Sequence, residues 1–72
     1  MTSQFQPGQK VHYIPFPGCS SDKYENGIVK SVSDHEHVFV VFHCGGEWDR
    51  YTEYTAARTN VNQLRAGWYY GG

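Results

Sequence analysis

The sequence predicts an all-β domain: a small, strongly bent, partly open barrel of four or five short antiparallel strands, with one short helical turn near the C-terminus. Three observations carry this expectation. Short stretches alternate apolar and polar residues with period two, as in "KVHYI" and "HVFVVFHC". Turn signals punctuate them at Pro7-Gly8, Asn26-Gly27, Ser33-Asp34 and Gly45-Gly46. No segment sustains the 3.6-residue period of a full helix. Closing so small a sheet on itself removes its edges and buries one face of every strand.

The elements follow in order. Residues 10–14 form the first strand, with Val11 and Tyr13 alternating with Lys10 and His12. Pro15 and Pro17 end it, because proline cannot donate to a ladder. Residues 15–26, "PFPGCSSDKYEN", are a loop by composition. The second strand is "GIVKSV", and Ser33-Asp34 turns the chain into the third, "HVFVVFHC". There Val38, Val40 and Phe42 share one face, while Phe39, Val41 and His43 share the other. The short connection makes strands two and three an antiparallel hairpin. An aromatic loop follows at 45–54, and "YTAART" reads as the fourth strand. "NVNQLRAG" reads as one helical turn, capped by Thr59 or Asn60 and stopped by Gly67, with Val61 and Leu64 pointing the same way. "WYYGG" finishes the chain, and its glycines read as a flexible tail. The expected organisation is one domain, with its core at about residues 7–68.

Size and composition narrow the function classes. A chain of 72 residues buries only about 60% of the surface its unfolded form exposes. A shallow groove fits such a domain better than a walled active-site cleft. The net charge is −1, and Lys10, Lys23, Lys30, Arg50, Arg58 and Arg65 are scattered singly. A dedicated nucleic-acid binder shows a basic excess or stripe instead. No run approaches the roughly 20 apolar residues of a membrane span. The opening "MTSQFQPGQK" has no charged leader followed by an apolar stretch. A cytoplasmic protein with Cys19 and Cys44 reduced is therefore expected, with a Cys19–Cys44 disulfide as the alternative for an exported chain.

Neither metal nor catalysis is expected. The sequence has no C-x-x-C or H-x-x-x-H pair, and the adjacent His43 and Cys44 point to opposite faces of a strand. Cys44 beside Gly45-Gly46 is the one thiol with loose backbone nearby, but no residue pattern places an oxyanion donor beside it. The expectation is a non-enzymatic protein with no cofactor.

The quoted elements resemble those of SH3-like barrels of the Tudor/KOW kind. "PGQKVHY" is similar to that superfamily's opening turn and first strand. "ENGIVKSV" is similar to its second strand, "HVFVVFH" to its third, and "TAARTNVNQL" to its last strand with the helical turn. The likeness covers roughly residues 7–65. It implies that ligands meet the loop after the first strand and the loop before the fourth, here 15–26 and 45–54.

Those loops hold Phe16, Tyr24, Trp48, Tyr51 and Tyr54, with Glu47 and Asp49 among the nearby acids. Aromatic faces attract cations, and carboxylates add to that attraction while repelling phosphate. The expected function is recognition of a protein or basic peptide through these seven residues. The competing reading is that Trp48 and Tyr54 only cover the open end of the barrel, which leaves Tyr24 and Tyr51 as the exposed pair. Two alternatives stand beside it. One is a KOW-like nucleic-acid module stacking a single strand on its rings. The other is an accessory protein that dimerises through an exposed strand or the "WYYGG" tail. The expected state is monomer or homodimer.

Overall fold

Each predicted strand forms where alternation is cleanest. The computed structural model describes residues 5–70. The strands are β1 (Lys10–Tyr13), β2 (Glu25–Val32), β3 (His37–Val41), β4 (Ala57–Asn60) and β5 (Leu64–Ala66). All pairings are antiparallel, in the order β4-β3-β2-β1-β5. Three short 3₁₀ turns, Ser21–Lys23, Trp48–Glu53 and Val61–Gln63, complete the described secondary structure.

The sheet curls because its edges are tied by very little chain. Flat, five strands would hold β4 and β5 about 19 Å apart. Only Val61–Gln63 joins them, and four peptide units reach at most about 14 Å. The barrel stays partly open, since β4 and β5 do not pair with each other. A register shift between Val29 and Ser31 in the β2–β3 pairing leaves Lys30 unmatched and sharpens the bend.

Two faces result. The inner face holds the main core: Phe5, Val11, Val29, Val38, Val40, Val61 and Leu64, with Tyr13 and Phe42 packed against it. The outer face carries Lys10, Ile28 and Val41, which are cross-strand partners and so lie on one side. Ile28 and Val41 are buried there, outside the main cluster, and Cys44 is buried beyond the end of β3. Gly27 lies where strands press together: a Cβ would come within 2.7 Å of the Val40 side chain and 2.8 Å of the Val41 carbonyl. Only hydrogen fits.

The structure corrects several boundaries. The first strand ends at Tyr13, before Ile14. The second begins at Glu25, inside the expected loop. The third stops at Val41, so His43 and Cys44 leave the ladder. The fourth begins only at Ala57, because Trp48–Glu53 takes up 3₁₀ turns with a break at Arg50. The helical turn shrinks to Val61–Gln63, capped by Asn60 Oδ1 on the Asn62 N–H at 2.8 Å, and "LRA" becomes a fifth strand. Its register against β1 explains why. An unpaired edge of β1 gains more from ladder bonds than three residues gain from a second helical turn. Gly67, at φ 85°, ends that strand. The core also reaches Phe5, beyond the expected limit at residue 7. The flexible-tail reading of Gly71-Gly72 lies outside the described residues.

Candidate functional site

The segment after β5 organises the outer face. The Asn26 side chain holds the backbone of Tyr69 at both ends: Nδ2 donates to its carbonyl and Oδ1 accepts its N–H, each at 2.9 Å. Trp68 Nε1 donates to the Gly27 carbonyl at 2.8 Å. His12 Nδ1 lies 2.8 Å from the Gly67 carbonyl, an acceptor only, so that nitrogen carries the hydrogen. Lys10 Nζ sits 4.7 Å from the centre of the Trp68 ring. This strap of rings ties both predicted loops to the sheet.

Rings of both loops meet the strap. Tyr24 stacks on His12 at 5.6 Å and meets Tyr69 edge-on at 5.0 Å. Trp48 meets Trp68 at 5.0 Å. Tyr51 places its hydroxyl beside Gly8. The Tyr54 hydroxyl donates to a Glu47 carboxylate oxygen. That bond, with smaller help from burial, pushes the Tyr54 phenol up to about 12. Lys30 Nζ donates to the Tyr54 carbonyl at 2.8 Å and anchors the loop to β2. Tyr24, Trp48, Tyr51 and Tyr54 are therefore half-buried alike, and the expected split between covering and exposed rings does not form. Phe16 stands apart at 54% exposure, with no ring partner among the described residues. Glu47 is occupied by Tyr54, and Glu53 by a bidentate bond from Arg50 at 2.9 and 3.0 Å. Asp49 remains exposed.

A concavity lies away from these loops. A groove of ≈ 390 Å³ opens at the mouth of the barrel, between the free edge of β4 and the ends of β1 and β3. Tyr13 and Phe42 form its aromatic wall, with ring centres 5.7 Å apart and planes at 64°. Glu25 and His43 stand at its rim, His43 Nε2 3.2 Å from Glu25 Oε1. Gln63 Nε2 fixes the wall by donating to the Pro15 carbonyl at 2.9 Å and the Tyr13 hydroxyl at 3.3 Å. A smaller groove of ≈ 220 Å³ runs past Tyr24, Pro17 and Arg65. It contains one of the seven predicted residues, and the larger groove contains none.

Glu25 was among the acids expected beside the aromatic loops, whereas Tyr13, Phe42 and His43 were not expected in a binding site. A usable signal was present. Tyr13 and Phe42 continue the inward registers of Val11 and of Val38 and Val40, and each stands at or just past a strand end. A large ring in such a position lines the mouth of a barrel, because the core below is already filled. No family model, curated protein or solved structure matches the chain.

Proposed function

We propose that this chain is a non-enzymatic binding module that takes a lysine or arginine side chain of a protein partner into the Tyr13–Phe42 groove. One observation carries the reading: two rings set at 64° face a groove with the Glu25 carboxylate at its rim. A cation held against the face of such a ring gains ~0.5–2 kcal/mol, more as water is excluded. The carboxylate adds attraction for the same charge. The reading of the chain as an SH3-like barrel of the Tudor/KOW kind rests on its strand order and on the 3₁₀ turn before β5. The nucleic-acid alternative has less support, since Tyr24, Trp48, Trp68 and Tyr69 already pack against one another or against His12.

The test is selection from a random peptide library, followed by titration of a selected peptide. Basic peptides should be enriched. Glu25→Gln, at a solvent-exposed position, should weaken them roughly 3- to 10-fold. His43→Ala, which releases Glu25 from its neighbour, should tighten them. Selected peptides with no basic residue, or affinity indifferent to both changes, would overturn the reading.

A further inference from the structure

The free edge of β4 runs along the groove, and all four of its residues line it. The phase of that edge is set. The Val61 N–H donates to the Glu36 carbonyl at 2.8 Å, just beyond the His37↔Asn60 pair. This makes Asn60 and His37 a non-hydrogen-bonded pair, so Thr59 and Ala57 exchange their bonds with Val38 and Val40. The main-chain N–H and C=O of Arg58 therefore point away from β3. Among the described residues nothing meets them.

The opposite edge is treated differently. On β5 the Ile14 N–H donates to the Gln63 carbonyl and the Gly67 N–H to the Lys10 carbonyl, both at 2.7 Å, which turns the Leu64 carbonyl outward. Arg65 folds back and donates to that carbonyl at 2.9 Å and to Asn62 O at 3.3 Å. The outward carbonyl of Leu64 is thus covered by a neighbouring side chain, while the Ala66 N–H and C=O at the end of that edge point outward as well. On β4 the corresponding arginine is drawn aside: Arg58 donates to Asp34 Oδ2 at 2.7 Å and Ser33 Oγ at 3.2 Å, across the sheet at the β2–β3 turn. Its guanidinium does not cover its own edge.

Side-chain sizes along β4 complete the picture. Ala57 and Thr59 pair with Val40 and Val38 and so face the groove. Both are small, and the space they leave is the groove itself.

We infer that an extended segment of the partner pairs with β4 as a sixth strand, its main chain bonding the Arg58 N–H and C=O while one Lys or Arg side chain enters the Tyr13–Phe42 groove. This rests on the function proposed above and specifies the shape of the partner. A strand added at the usual spacing of about 4.8 Å places every second side chain over the groove side. A carboxylate rim and two rings select a cation there. Main-chain pairing supplies affinity, and the groove supplies choice of side chain.

The test uses the full chain, ¹⁵N-labelled, and a peptide selected from the library. In the free protein the Arg58 amide should exchange quickly with solvent. At saturation it should slow roughly 10-fold or more. Arg58→Pro removes the donor at an edge position where proline is tolerated. It should bind about 10-fold more weakly than Arg58→Ala, which loses the Asp34 pairing equally. Ala57→Leu, which fills the groove and leaves the edge intact, should also abolish selection for basic residues. If the Arg58 amide exchanges unchanged at saturation while Glu25→Gln still weakens the peptide, the strand pairing is wrong and the groove reading survives. If affinity ignores Glu25, the groove reading itself falls. Protection of Arg58 without peptide, in a chain that sediments as a dimer, would assign the edge to a second copy and overturn the proposed partner.

Discussion

The two faces of the sheet are built from different materials. The inner face is mainly aliphatic: valines from β1, β2 and β3 interlock with Leu64, and Phe5 joins them. The outer face is aromatic and polar. A strap containing Trp68 and Tyr69 lies across Lys10, His12, Asn26 and Gly27, held largely by directional hydrogen bonds. The inner face draws on burial, which scales with area and tolerates imprecise placement. The outer face draws on partners at fixed angles. Losing one such partner strands a half-buried polar group but leaves the sheet intact.

This contrast can be broken in a definite order. Leu64→Ala should have the largest effect, about 2–5 kcal/mol in urea unfolding. For a domain of this size that is a large share of the total. Gly27→Ala comes next. Its methyl would press on the Val40 side chain, the Val41 carbonyl and the Phe42 ring. An overpacked strand pair of this kind costs about 1–3 kcal/mol, and the change should disturb both faces together. Asn26→Ala releases both bonds to Tyr69. It should cost about 1–2 kcal/mol and shift tryptophan fluorescence by loosening Trp68, while backbone signals of β2 and β3 stay in place. A loss equal to that of Leu64→Ala would mean the strap is part of the folding core.

The smallest effects are electrostatic. Tyr54 titrates high in the folded chain because Glu47 accepts its hydrogen. The protonated phenol is the form that stabilises, so its contribution is full below the ordinary value of 10.0 and fades as pH rises toward about 12. Phenolate absorbance should show one late-titrating tyrosine, lost in Tyr54→Phe. Asp34 shows the opposite sign. The Glu36 N–H, His37 and Arg58 hold its carboxyl well below the usual range. Its contribution is present above 3.8 and is lost as pH falls below that value. Asp34→Asn should lower the melting temperature slightly at neutral pH, and the gap from the parent should narrow in acid. Because Asp34 is exposed, added salt should shrink the gap too.

Legibility divided along the same line. Val11, Val38 and Val40 announced the inner face through alternation, and Asn60 was one of the two expected caps. The chosen rings were harder to read. Tyr24 and Trp48 sit in the expected loops, but Trp68 and Tyr69, which hold them, follow β5 and carry no periodic signal. Glu47 looked free for a ligand and is taken by Tyr54. The groove residues Tyr13 and Phe42 were visible only as inward positions.

By itself the sequence determined the short strands, their turns and the aliphatic face. Those depend on neighbours one to four residues apart, and the chain states them locally. Tertiary structure alone decided where Trp68 and Tyr69 dock, that Glu25 meets His43, and that Arg58 is drawn to Asp34. These outcomes depend on groups that meet only after the sheet has curled, so no local pattern could encode them.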